Sequence, residues 1–414
     1  MGAPIFRTVS SRGMPPVLIA QFLSALADNA LLFAALALLK TERYPAWTAP
    51  ALQEAFIVAY IVLAPFAGPL ADAIPKGRVM LLANGLKLLG AVGMALGADA
   101  FVAYGIVGVG AAAYSPAKYG ILSELAPAED LVAANGWMEG STIAAILIGA
   151  VAGGVLADWN VAGALWAVAA AYGVALLVNL AIPRLAPAHG FEGTSLWGML
   201  RDFLRAVRRL FAGSDARFSV AGTSLFWGAG ATLRLLLVAW VPVALGITDN
   251  RMPAYLNAAV AAGIVIGAAL AAKFVTLQRP ERAMPAGVAI GAAVCLLAAT
   301  HSVALAFAVM AFVGAGGGFF VVPLNALLQE AGHESVGSGH AVAIQNLAEN
   351  VVMLGMVGGY TLIVRAGAPV SAIAAGFGVL LSAGIAAVWA GRMRTLRARA
   401  RASGSARNLR GLRS

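Results

Sequence analysis

The chain has 414 residues, of which 61% are hydrophobic and only 11% charged, and its mean hydropathy is +0.86. No soluble domain of this length is so apolar, which excludes a water-soluble enzyme or binding module and leaves a polytopic membrane protein. One cysteine, Cys295, and four scattered histidines (His189, His301, His333, His340) offer neither a disulfide nor metal-ligand spacing, so no metal or other cofactor is expected.

Apolar runs about as long as a bilayer-spanning helix, roughly 17–25 residues, recur from end to end. The first, at 17–39, contains the Asp28–Asn29 pair in its middle. Arg7, Arg12 and the A-x-A triplet at 25–27 imitate a secretory signal. The run continues past Asp28 to Leu39, too long for that, and reads as an uncleaved span. Further spans fall at 51–71, 78–98, 101–123, 132–157 and 161–182, then at 217–246, 254–276, 284–300, 302–330, 337–364 and 369–391. Lipid offers backbone polar groups no partner, so these spans are helices. The expected fold class is an all-α membrane protein with twelve transmembrane helices in a 6+6 pseudo-symmetric arrangement. Its expected parts are a six-helix bundle at 1–182, a linker at 183–216, a second bundle at 217–391 and an Arg-rich tail at 392–414.

With twelve spans both termini share one side. That side collects 21 basic residues and the other only four, Lys40, Arg43, Arg251 and Arg365. The positive-inside rule places both termini in the cytoplasm. This asymmetry, rather than nucleic-acid binding, explains the net charge of +10. Within the linker, Leu196, Leu200, Phe203, Val207 and Leu210 fall on one helical face and Arg201, Arg205 and Arg208 on another. That pattern suits an amphipathic helix lying on the membrane, or a spacer between bundles, and the two readings are compatible. The tail has eight arginines and no acid, and is expected to meet anionic headgroups without a fixed fold.

Internal repeats support a duplicated fold. LFWGAGATLRLLLV (225–238) can be laid on QFLSALADNALLFA (21–34), which sets Arg234 near Asp28. VGVGAAAYSPAKYGILSE (107–124) parallels FVGAGGGFFVVPLNALLQE (312–330), pairing Lys118 with Asn325, and Asn135-x-x-x-Glu139 parallels Gln345-x-x-x-Glu349. Gly68-Pro-Leu-Ala-Asp72 and Gly154-Val-Leu-Ala-Asp158 close spans two and five on opposite sides, as inverted repeats nested in parallel halves require. The loop GPLADAIPKGRV (68–79) resembles the signature of the major facilitator superfamily, Gly-x-x-x-Asp followed by basic residues. Gly68, Asp72, Lys76 and Arg78 fit it; Ala73 and Pro75 depart. The resemblance implies that these four residues gate the carrier from the cytoplasmic side and do not touch substrate.

Six ionisable residues fall inside the spans: Asp28, Lys87, Lys118, Glu139, Arg234 and Glu349. A charge at the bilayer centre costs on the order of 2.5–3.5 kcal/mol on insertion scales. They are therefore expected to compensate one another around one polar cavity between the bundles, or as structural ion pairs. Arg234 has leucine on both sides, so its head must reach a partner or ligand; Lys87 reads as a snorkelling side chain. A guanidinium grips phosphate through paired hydrogen bonds, a lysine adds a point charge and a carboxylate holds an ammonium, so a cavity with both signs suits a zwitterion. The chain has no Walker sequence and no His-x-x-x-x-Asp, so neither an ATPase nor a glycerolipid acyltransferase is expected.

Longer strings are similar to one family, the bacterial lysophospholipid transporters: AQFLSALADNALLFAALALLK (20–40), GVGAAAYSPAKYGILSEL (108–125) and TSLFWGAGATLRLLLVAWVPVALGITDN (223–250) among them. The likeness runs from span one to span eleven; only the linker and the tail look unlike it. It implies a monomeric carrier of the bacterial inner membrane that flips lysophosphatidylethanolamine and lysophosphatidylglycerol from the outer to the inner leaflet. A cytoplasmic-face acyltransferase–acyl-carrier-protein synthetase then restores the second chain. On that footing Arg234 and Lys118 would hold the phosphodiester. Asp28, with Glu139 or Glu349, would meet the ammonium or pair with the bases between cycles, and Asn29 and Gln345 would add hydrogen bonds. The alternative left open is a proton-coupled exporter of small amphipathic molecules, in which Asp28 or Glu139 titrates.

Overall fold

The computed structural model describes residues 13–44, 48–185, 196–247 and 251–411. The first half comprises α1 (Met14–Thr41), α2 (Thr48–Ala73), α3 (Lys76–Ala95), α4 (Ala100–Gly120, with a further turn at Leu122–Leu125), α5 (Leu131–Trp159) and α6 (Val161–Asn179). The linker forms α7 (Leu196–Ala212). The second half comprises α8 (Ser214–Leu245), α9 (Arg251–Phe274), α10 (Met284–Ala299), α11 (Val303–Ser335), α12 (Ser338–Arg365) and α13 (Val370–Gly411). Among the described residues eleven helices are long and apolar enough to cross a bilayer, and α2, apolar over Val58–Ala73, supplies the twelfth crossing. Asp99, Asn160 and Ser302 start α4, α6 and α11 by accepting the backbone N–H of Val102, Gly163 and Leu305.

These helices are apolar all round, so burial of an apolar face does not orient them. Close approach of small residues does. Gly149 and Gly153 of α5 lie against the α1 backbone at Leu26 and Ala30. In the second half Gly263 and Gly267 of α9 face Ala311 and Ala315 of α11, whose Gly314 and Gly318 face Val260 and Ile264 in return. The halves meet where α5 packs on α9 and α2 on α12.

The linker helix takes the place of a spacer between the bundles, and the expectation for the tail changes. Phe203, Ala206 and Leu210 of α7 are buried against Ala64 of α2, Val220 of α8, Leu328 of α11 and Ala341 and Ile344 of α12. The apolar face of the linker helix thus sits on protein from both halves, while Arg201, Arg205, Arg208 and Trp197 are exposed. The tail, expected to lack a fixed fold, continues α13 as helix to Gly411. It propagates from a helix already nucleated, through Ala- and Arg-rich sequence of high helix propensity. Its root is fixed to α8: Arg392 is buried, bonds Asp215 and stacks 5.1 Å from the Phe218 ring centre, and Arg399 donates to Ser214 at 2.6 Å.

Candidate functional site

Hydrogen bonds between the two halves gather in layers that run inward from the end of the molecule that carries α7. The outermost layer centres on Asp72, at the end of α2. It accepts the backbone N–H of Gly339 at 2.9 Å and of His340 at 3.0 Å, and pairs with the His340 ring at 2.7 Å. Those amides open α12, where unpaired N–H groups and the helix dipole favour an anion. Lys76 lies 3.4 Å from Asp72 and also bonds Glu124 at the end of α4. Gly68, one turn before Asp72, lets α2 touch α12: a Cβ there would stand 2.8 Å from the His340 Cα. Of the four expected gating residues, Gly68, Asp72 and Lys76 gather at this contact; Arg78 is exposed and makes no ion pair among the described residues. His340 and Glu124 escaped the sequence reading. The signal for His340 was its place just after Gly337, whose φ of 95° starts α12.

Deeper layers follow. Asn346 donates to Ser115 at 3.0 Å, and Asn135 and Gln329 exchange two bonds at 2.9 and 2.7 Å. One turn further in, Glu139 accepts from the Tyr119 hydroxyl at 2.8 Å and from Asn325 at 2.9 Å. The Gln345 amide then donates to Asn325 at 2.7 Å, to Glu349 at 2.8 Å and to Thr223 at 3.2 Å. This chain of bonds ties α4, α5, α8, α11 and α12 into a polar floor. Glu139 and Glu349, matched by the repeat, meet in it. Lys118 sits at its edge, its ammonium 4.6 Å from the Tyr119 ring centre, with no ion pair among the described residues.

The remaining charges divide: Asp28 and Lys87 lie within electrostatic reach of Lys118, while Arg234 stands further along α8. Asp28 pairs with Lys87 at 2.8 Å and accepts from the Tyr172 hydroxyl at 2.7 Å, all within the first half. Lys87 does not snorkel: it is 1% exposed and donates a second bond to Ser24 at 3.0 Å. Asn29 gives its amide to the Ala25 carbonyl one turn back in its own helix, at 2.8 Å. Arg234 is exposed and makes no hydrogen bond or ion pair among the described residues. It shares the α8 face of Thr223 and Trp227, and eleven residues of helix set its Cα about 16 Å beyond Thr223, away from the floor. Arg234 and Lys118, expected on one phosphodiester, therefore stand at different depths. Beside this polar column an apolar cavity of about 640 Å³ opens between α1, α5 and α9, lined by Leu18, Ile19, Phe22, Trp137, Ala144 and Val265 among others.

The family model described as Major Facilitator Superfamily matches residues 17–356. The chain belongs to the major facilitator superfamily. Proteins named lysophospholipid transporter LplT from Escherichia coli and Shigella sonnei are 59% identical to it over 379 residues, covering 92% of this chain and 96% of theirs. Among solved structures, the fucose:proton symporter FucP of E. coli superposes with a TM-score of 0.72 at 15% identity, over 93% of this chain and 99% of that one. The human organic anion transporter MFSD10 gives 0.67 at 16% identity, over 91% and 98%. At such identities these structures speak to the fold alone; the family match and the 59% identical relatives make the chain a multi-pass transporter and not an enzyme.

Proposed function

We propose that this carrier moves lysophospholipids, lysophosphatidylethanolamine and lysophosphatidylglycerol, from the outer to the inner leaflet of the bacterial inner membrane. Both termini are cytoplasmic, the working unit is a monomer, and the product feeds a cytoplasmic-face acyltransferase–acyl-carrier-protein synthetase. The observation that carries the reading is Arg234, an exposed and unpaired guanidinium above a closed polar floor, in a chain 59% identical to transporters of that name. A guanidinium suits a phosphodiester, which is too costly to cross lipid unaided.

With the α7 end in the cytoplasm, the closed layers form the inner gate and the conformation faces outward. Arg234 takes the phosphodiester first. Lys118, lower down beside Glu139, receives it as the halves rock about the site. The single acyl chain stays in apolar surroundings; the cavity between α1, α5 and α9 lies where the halves meet and suits it. The floor must then open, and its amide and carboxylate bonds, neutral pairs for the most part, can exchange partners with the headgroup. The gating residues Gly68, Asp72 and Lys76 hold the gate shut without reaching substrate.

Leaflet transfer of labelled lysophosphatidylethanolamine in proteoliposomes tests this. Wild type is expected to transfer it with or without a pH gradient, and Arg234→Ala to lose at least 90% of the rate. Transfer only under a gradient, or none by folded protein, supports the proton-coupled exporter instead.

A further inference from the structure

A smaller pocket lies away from the contact between the halves, at the α7 end of the first half, where α3 begins and α6 ends. It measures about 110 Å³ and is lined by Gly77, Arg78 and Leu81 of α3, by Asn179 and Leu180 at the end of α6, and by Arg184 just beyond. None of its lining residues is acidic. Arg78, the expected gating residue that the gate does not use, is exposed, and so is Arg184. Neither makes a hydrogen bond or an ion pair among the described residues.

Two features distinguish this pocket from a packing gap. Asn179 is only 3% exposed, yet its amide nitrogen and its amide oxygen both lack a hydrogen-bond partner among the described residues. Buried polar side chains are nearly always satisfied, so an open amide on a pocket wall is a donor in need of an acceptor. The second feature is the start of α3. Pro75 supplies no capping side chain, and the amides of Lys76 and Gly77 find no main-chain acceptor among the described residues. Such free amides, together with the helix dipole, favour an anion. Gly77 also lets the chain leaving α6 approach closely, since a Cβ there would stand 2.9 Å from Ile182 Cγ2.

The surroundings decide which anion. Leu180 on the rim is exposed, as are Leu177 of α6 and Leu82, which follows Arg78 by one turn on the same face of α3. Two guanidinium groups, an amide and a helix start thus sit at the end of an apolar surface made by two membrane-spanning helices. Basic pockets so placed between transmembrane helices hold phosphate-bearing headgroups, with the acyl chains lying along the helices. We infer that this pocket binds the phosphate of an anionic diacyl phospholipid in the leaflet at the α7 end, a resident lipid separate from the one carried. The lipid gives Arg78 a partner other than the gate. It fastens the first half to the membrane surface at the start of the helix that also carries Lys76. The inference goes beyond the lysophospholipid reading and does not depend on it; the orientation proposed above serves only to name this leaflet the inner one.

The test is binding of dioleoyl phosphatidylglycerol and dioleoyl phosphatidylcholine to the full chain in detergent, read as the Kd of the first bound lipid by native mass spectrometry. Wild type is compared with Arg78→Gln/Arg184→Gln and with Arg201→Gln/Arg208→Gln, which removes the same charge from α7. All four arginines are exposed, so both variants are expected to fold. Wild type should prefer phosphatidylglycerol. The pocket variant should lose that preference, its affinity falling roughly 25-fold, about fivefold for each arginine at the membrane surface. The α7 variant should keep it. Equal weakening in the two variants, or none in the pocket variant, overturns the inference. Asn179→Leu should also weaken phosphatidylglycerol while raising the melting temperature of the lipid-free protein, because it removes an unpaired buried amide at similar volume. Unchanged affinity in Asn179→Leu overturns the assignment of the pocket. Displacement of the lipid by inorganic phosphate alone would make this a free-phosphate site and overturn the lipid as its occupant.

Discussion

Asp28 and Arg234 fall near one another when the sequences of the two repeats are laid together, each a lone charge within an apolar span, yet their surroundings are opposite. Asp28 is closed in by Lys87 and Tyr172 inside its own half. Arg234 is exposed and unpaired among the described residues. A charge neutralised within one bundle belongs to the bundle and travels with it. An exposed charge with no partner in its own bundle is stabilised by what its surroundings supply. The duplicated fold thus places a charge pair already made in one half and an exposed guanidinium, unpaired among the described residues, in the other.

The sharpest way to break this contrast is Asp28→Ala, which strands the buried Lys87 ammonium. A loss of about 3–5 kcal/mol in stability is expected, read as a lower unfolding temperature in detergent, with most of it regained in Lys87→Met/Asp28→Asn. Next comes the clamp at the closed end. Phe203→Ala hollows the seat of α7 on both halves and is expected to cost about 3 kcal/mol, the lower range for a buried phenylalanine. A pair of spin labels on the α7-side ends of α2 and α12 should then report a longer, broader distance. Asp72→Asn acts on the same gate more gently. It keeps the shape and removes the anion from the start of α12, for about 1–3 kcal/mol and a shift of roughly 5–150-fold toward the open gate, read by the same labels. Arg234→Ala has the smallest effect on stability, within about 0.5 kcal/mol, because no folded-state bond is lost. Its rate of lipid transfer should nevertheless collapse. An Arg234→Ala protein as unstable as Asp28→Ala erases the distinction between the two sites.

The fold was legible for a physical reason: lipid forces every crossing to be a helix of bilayer length, so run length alone counts spans. The gate was partly legible, since Gly68, Asp72 and Lys76 lie in one short stretch from the end of α2 to the start of α3. Its other side was not, because His340 is brought to Asp72 from 268 residues away by the packing of α2 on α12. The pairing of intramembrane charges was the least legible. A helix apolar on all sides carries no phase from which to read the direction of its one charge. Lys87 looked like a snorkelling residue because the space for it is made on another helix, at Gly110, and its partners come from α1, α4 and α6. Asn325 could have been found: it occupies the repeat position of Lys118, and the structure sets it on Glu139. The linker helix showed its two faces in sequence, but periodicity cannot say whether an apolar face meets lipid or protein, and α7 meets protein.

The most direct test of the central claim is a binding comparison between two single-chain lipids, one with and one without a phosphodiester headgroup. Lysophosphatidylethanolamine and a monoacylglycerol of the same chain would be titrated against wild type and Arg234→Ala in nanodiscs. Wild type should favour the phosphate-bearing lipid by tenfold or more, consistent with a charge-assisted bidentate contact, and the variant should bind both about equally. The same preference in both proteins, or none in wild type, contradicts the assignment of Arg234 as the phosphate receptor.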